Sequence, residues 1–204
     1  MSSTSISNAP SPRIGSCQRT TGETELEVRV NLDGPGKATI STGLAFLDHM
    51  LTQLCVHGRF DIELSARGDL EVDDHHTVED TGIALGEAFR QAMGEVRGVR
   101  RFGSAYAPLD EALARAVVDW SGRPFAVTEM GLVREMVGQV ATENVPHFFR
   151  SFAVAAALTL HVDVLRGEND HHRIEAAFKA FALALRSSVE RTADDAVPSS
   201  KGVL

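Results

Sequence analysis

Two cysteines in 204 residues, Cys17 and Cys55, are too few for a disulfide framework. Cys17 reads as part of a mobile leader and Cys55 lies in an apolar helical stretch, so both read as free thiols in a reducing compartment. No apolar run reaches the roughly 18 residues that a membrane helix needs, because Asp48, His49, Gln53 and His161 interrupt the best candidates. Basic residues are scarce: 20 Lys and Arg stand against 28 Asp and Glu, a net charge of −8, and none cluster as a phosphate-tracking patch would. Nucleic acid is therefore disfavoured as a partner, whereas bound divalent cations would offset part of the acidity. Met1 to Pro12 have neither the apolar segment of a secretion signal nor the repeated arginines of a transit peptide, and read as a disordered leader (1–12) on a cytoplasmic protein. With 43% hydrophobic and 24% charged residues the chain is neither fibrous nor disordered.

What is present is present twice. Asp74-His75-His76-Thr77-Val78-Glu79 returns 96 residues later as Asp170-His171-His172-Arg173-Ile174-Glu175. Each copy opens an apolar-periodic helix, through Val78, Leu85 and Phe89 in one and Ile174, Phe178, Phe181 and Leu185 in the other. A strand precedes each, Phe60–Leu64 and Thr159–Val164, and before it comes a helix with a single histidine, His49 or His147. Further upstream lie the strand pairs Leu26–Val30 with Lys37–Ile40, and Ala112–Val118 with Phe125–Thr128, joined through Asp33-Gly34-Pro35-Gly36 and Ser121-Gly122-Arg123-Pro124. The order strand, strand, helix, strand, helix thus predicts an α+β duplication, with halves at about 13–95 and 100–192, helices on one face of a sheet, and a tail over 193–204.

Six of the eight histidines, His49, His75, His76, His147, His171 and His172, occupy repeat-matched positions. With Glu79 and Glu175 they form eight candidate metal ligands, four per half. Imidazole nitrogens with one carboxylate suit manganese, iron, cobalt or zinc. On a helix, Glu79 shares a face with His75 or His76, lying about 40° or 60° away in azimuth, whereas adjacent histidines diverge by about 100°. Two ions follow more naturally than one. Asp74 and Asp170 read as helix N-caps, or else as acceptors orienting the histidines. His57 and His161 read as structural, His161 as a core residue among apolar strand neighbours.

Weaker signals surround this set. Arg100-Arg101 and Arg123 sit where a guanidinium meets either an anion or a surface carboxylate. Pro198-Ser199-Ser200-Lys201-Gly202 is an anion loop or a frayed end. Glu23 before the first strand, and Asp110-Glu111 between two strands, stay open from the residues alone.

Taken together, Phe46-Leu47-Asp48-His49-Met50-Leu51, the two His-His motifs, Ala114 through Pro124, and His147-Phe148-Phe149-Arg150-Ser151-Phe152 resemble the imidazoleglycerol-phosphate dehydratases of histidine biosynthesis. The likeness runs from about Arg19 to Leu204. It departs from the family pattern within Met130–Glu143, which carries none of the candidate residues, and no room exists for the phosphatase domain of bifunctional members. The resemblance implies a ribosomal protein S5 domain 2-like fold and a hydro-lyase that converts imidazole glycerol phosphate to imidazole acetol phosphate. It also implies two manganese ions per active site and a homo-oligomer of 24 subunits with sites at subunit contacts. By position, His49, His75, His76, Glu79, His147, His171, His172 and Glu175 are metal ligands, with His49, Glu79 and Glu175 also facing the chemistry. Arg101, Arg123, Ser199, Ser200 and Lys201 hold the phosphate, and Glu23 meets the substrate as acid/base. Lewis acidity at the ring nitrogens favours an imidazolate and lets the hydroxyl leave through a diazafulvene-type species. A dinuclear metallohydrolase, the rival reading, predicts bridging aspartates; a storage shell predicts no use for the arginines and tail.

Overall fold

The computed structural model describes residues 11–202. Residues 1–10 of the expected leader and the last two of the tail lie outside that range. The first half runs β1 (Ile14–Thr20), β2 (Thr24–Asn31), β3 (Ala38–Ser41), α1 (Ala45–Gly58), β4 (Asp61–Gly68) and α2 (His75–Met93). The second runs β5 (Phe102–Leu109), β6 (Ala112–Asp119), β7 (Phe125–Glu129), a short β8–β9 hairpin (Met136–Val137, Val140–Ala141), α3 (Asn144–Ala156), β10 (Thr159–Arg166) and α4 (Asp170–Ser188). Two four-stranded sheets form with matching orders, β1-β2-β4-β3 and β5-β6-β10-β7, each antiparallel but for its last pair. No helix among the described residues is long and apolar enough to cross a membrane.

Two expectations need correction. Each half begins with one strand more than the sequence pattern predicts, and there are two sheets, one per half, rather than one. The extra strands were hidden because their inward faces carry small residues, Gly15 and Cys17 in β1, Gly103 and Ala107 in β5. Helices press so closely there that a Cβ at Gly15 would overlap the Ala88 carbonyl oxygen, and one at Gly103 that of Ala184. Without large apolar residues at alternate positions, the period-2 signal disappears. Cys17 is consequently a buried β1 residue rather than part of a mobile leader. Its thiol donates to Glu87 at 3.0 Å, and burial, reinforced by that carboxylate, pushes its pKa up to about 12.

β2 buries every second residue, Thr24, Leu26, Val28 and Val30, and β6 repeats the pattern, so each sheet has one apolar face against helices and one outward face. His161 obeys this alternation in the opposite phase to the one expected: Leu160 and Val162 point into the core and His161 is exposed. α2 rests on β1 and β2, and α4 on β5 and β6, while α2 packs against α3 and α1 against α4. Helices from different halves are therefore partners. Rings of α2, α3 and α4 lock that arrangement edge to face: Phe89 on Phe152 at 5.3 Å, Phe152 on Phe181 at 5.1 Å, and Phe149 on Phe181 at 5.3 Å.

The α2–α3 crossing is close because Gly82 and Gly86 face it. An added Cβ at Gly86 would stand 2.5 Å from the Phe152 carbonyl oxygen and 2.8 Å from Ala155 Cβ. Gly86→Ala gains about 1 kcal/mol of helix propensity but forces a backbone oxygen aside, at about 1–3 kcal/mol. The variant should therefore unfold at a lower temperature than wild type, whereas Gly22→Ala, where nothing lies within 4 Å, should not.

Candidate metal centre

The partnering of helices across the halves decides which histidines meet. Glu175 of α4 receives His49 Nε2 from α1 at 3.1 Å and its own helix neighbour His171 Nε2 at 3.2 Å. Glu79 of α2 likewise faces His75 Nε2 of its own helix at 3.6 Å and His147 Nε2 from α3 at 3.4 Å. The ligand atoms within each trio all lie within 4.8 Å of one another. Every trio thus draws its single histidine from the opposite half, a crossing that repeat arithmetic could not reveal.

Three donors, not four, converge at each cluster. His76 and His172 turn away, their rings 5.8 and 6.1 Å from those of His75 and His171 at nearly right angles, as the 100° step between adjacent helical residues requires. His76 Nδ1 lies 3.0 Å from Asp69 Oδ2 and His172 Nδ1 lies 2.7 Å from Glu111 Oε2.

The donor set fits a borderline divalent ion. His147 Nε2 is a buried polar atom with no hydrogen-bond partner among the described residues, a costly state unless something else occupies its lone pair. His75 Nδ1 donates to the buried carbonyl oxygen of Asn144 at 3.0 Å, which leaves its Nε2 unprotonated and aimed at Glu79. Burial alone would raise the Glu175 carboxyl, but Lys179 at 2.7 Å and His49 outweigh it and keep the group below its ordinary value. It is thus an anion ready to bind a cation.

Asn144, Lys179 and Asp69 escaped the sequence reading, which left Glu111 open. Lys179 carried a signal, a cation one turn beyond Glu175 within an apolar stretch of the helix, with Ile83 at the matching place in α2. Asp74 stands at the N-cap position of α2 as expected but its side chain makes no capping bond, while Asp170 is the first residue of α4 rather than its cap. The side chains that cap the helices are Asp73 and Asn169, which accept from the His75 and His171 backbone N–H groups at 2.8 and 2.9 Å. Asp74 instead accepts from the Ala141 N–H at 2.9 Å, and Asp170 from those of Val133 and Arg134 at 2.8 and 2.6 Å. Both aspartates therefore pin the 130–143 segment across the helix starts.

The remaining candidates lie apart from the two trios. Glu23 is exposed, its Oε1 3.7 Å from His76 Nε2. Arg101 is buried in left-handed backbone (φ 67°), gripping both Asp119 oxygens at 2.6 and 3.1 Å and donating to the Pro198 carbonyl at 2.8 Å. It thereby ties down the chain just before Ser199, Ser200 and Lys201, which form a turn closed by Gly202 N–H on the Ser199 carbonyl. Under this tail lies a cavity of about 600 Å³ lined by Arg90, Arg97, Trp120, Gly122 and Val197 among others. Arg123 is exposed on the β6–β7 turn, one residue beyond Gly122.

A family model described as imidazoleglycerol-phosphate dehydratase matches residues 42–185. This chain belongs to the imidazoleglycerol-phosphate dehydratase family. The Candida glabrata imidazoleglycerol-phosphate dehydratase is 53% identical over 92% of this chain and 98% of its own length. Among solved structures, the Staphylococcus aureus imidazoleglycerol-phosphate dehydratase is 41% identical with a TM-score of 0.79, over 88% of this chain and 99% of that one. The Pyrococcus furiosus structure is 37% identical with a TM-score of 0.81, over 92% and 100%. The α+β architecture expected from the repeat is that of the family.

If the trios act separately, Glu79→Gln should cost the metal held by the first and spare that of the second, with Glu175→Gln doing the reverse. Elemental analysis of the purified variants reads this directly: each should retain about half of the wild-type metal.

Proposed function

We propose that this enzyme is a hydro-lyase that converts imidazole glycerol phosphate to imidazole acetol phosphate in histidine biosynthesis, with two manganese ions per active site. The observation that carries the metal dependence is the pair of cross-half trios, each with two Nε2 atoms turned on one carboxylate. His75, Glu79 and His147 hold one ion, and His49, His171 and Glu175 the other. His76 and His172, facing away from these trios, serve ions held on neighbouring copies of the chain. The active sites then lie at subunit contacts of a homo-oligomer, in keeping with the exposed apolar side chains of Val72, Val133 and Met136 beside the helix starts. The 24-subunit assembly and the cytoplasmic location are parts of the same reading.

Manganese held by these residues would supply Lewis acidity at the substrate ring nitrogens, favouring the imidazolate form whose electrons can expel the hydroxyl from the ring-attached carbon. The chain's own groups do the rest. Glu23, exposed and with no hydrogen bond to its carboxylate among the described residues, takes or returns the proton at the reacting carbon. The hydroxyl on the ring-attached carbon leaves as water with the proton lost from the ring, giving a diazafulvene-type species; loss of the proton on the next carbon then restores the aromatic ring and gives an enol, which becomes the ketone. Arg101 holds the tail, and Arg123, Ser199, Ser200 and Lys201 grip the phosphate at a distance from the bond that breaks, contributing orientation. A dinuclear hydrolase would need aspartates between the ions, and neither trio contains one.

Chelation of the purified enzyme should abolish formation of the ketone from imidazole glycerol phosphate, and added manganese should restore it. Full turnover after stringent demetallation would refute the proposal. Lys201→Ala should raise KM about 10–100-fold, the worth of one hydrogen bond to a charged group, while leaving bound metal unchanged.

A further inference from the structure

Glu111 follows the tight β5–β6 turn and immediately precedes Ala112, the first residue of β6; Glu23 immediately precedes Thr24, the first residue of β2. The two are structural counterparts. A Cβ on Gly68 would meet Thr24 and Thr77, and one on Gly167 would meet Ala112 and Arg173, with Thr77 and Arg173 occupying the same place in the two His-His motifs. Equivalent glutamates nonetheless do different things. Glu111 turns Oε2 onto His172 Nδ1 at 2.7 Å, while its Oε1 accepts from the Glu168 and Asn169 N–H groups at 3.0 and 2.9 Å. Glu23 makes no such bond. Its carboxylate faces the other side of the equivalent ring, 3.7 Å from His76 Nε2, and Asp69 takes Nδ1 with both oxygens, at 3.0 and 3.2 Å.

Chain length explains the exchange. Seven positions separate Gly68 from His75, and four separate Gly167 from His171. The short connection lays its backbone N–H groups on Glu111, whereas the longer one brings a carboxylate of its own, Asp69, under His76. A carboxylate can only accept, so in both rings the proton sits on Nδ1 and Nε2 keeps its lone pair for a ligand.

Resting on the metal reading above, we propose that Glu111 and Asp69 are positioning residues that fix His172 and His76 in the Nε2-ligand tautomer. Asp69, by taking over this task in the first half, frees Glu23 for proton transfer. The two halves, alike in their ligands, are thus unlike in labour: the same strand-start glutamate is a buttress in one and a reactive group in the other.

Glu111→Gln tests this sharply. The amide keeps a carbonyl oxygen for the two backbone N–H groups but presents NH₂ to Nδ1, which favours the wrong tautomer. Chelator competition on the purified enzyme should show manganese held about 10–100-fold more weakly in Glu111→Gln, and less weakened in Glu111→Ala. Thermal midpoints should rank the opposite way, with Ala the less stable. A purely structural role makes affinity follow stability, with Ala the worse in both, and would overturn the proposal. Asp69→Asn supplies a second variant, since the Asp69 side chain hydrogen-bonds only His76 among the described residues; it too should lose manganese affinity, and wild-type affinity there would overturn the assignment of Asp69. Glu23→Gln should keep wild-type manganese affinity while turnover falls about 100-fold or more; loss of manganese instead would overturn the division of labour. A wild-type enzyme that holds no manganese would overturn the metal reading and this inference with it.

Discussion

The close approach of helices from opposite halves is the constraint on which the remainder depends. α3 lies against Gly82 and Gly86 of α2, and the phenylalanines of α2, α3 and α4 interlock behind them. His147 and Glu79 stand within one or two turns of that crossing, so the distance between two candidate ligands is fixed by core packing rather than by loops. The α1–α4 pair does the same for His49 and Glu175. Interiors of this density do not deform gradually. Any change that widened the crossing would therefore be felt first as a changed spacing between these candidate ligands, well before the fold gave way.

A second layer of control surrounds the histidines. Asp73 and Asn169 cap the helices that carry them, and Asp74 and Asp170 fasten the 130–143 segment across the helix starts. Asn144, Asp69 and Glu111 each engage an Nδ1 atom. The paired histidines diverge as adjacent helical residues must, and the rings of His75, His76 and His172 each meet a separate acceptor there.

Much of this was legible in the residues. The doubled His-His-x-x-Glu motif, the matched single histidines and the amphipathic helices behind them all survive in three dimensions, because helical spacing alone brings His75 to Glu79 and His171 to Glu175. β1 and β5 were not legible, since their inward residues are small where helices come near, and hydropathy has no sign for closeness. Nor was the crossing of ligands between halves, which arises from packing between helices remote in sequence. Asp74 and Asp170 read as caps because they precede the histidines, but the side chains that accept the His75 and His171 N–H groups lie one residue earlier, at Asp73 and Asn169. Glu111 was visible but mute, because its role depends on a loop three residues shorter than its counterpart.

The exchange of ligands between halves bears on ancestry. A polypeptide of half this length would carry one His-His-x-x-Glu helix and one single-histidine helix yet complete no cage, for these come together only with their opposite numbers. Two such polypeptides set face to face would complete both at once. Should the halves descend from one gene, its product worked as a pair, and fusion converted an encounter between strangers into a permanent marriage whose members could then drift into separate trades.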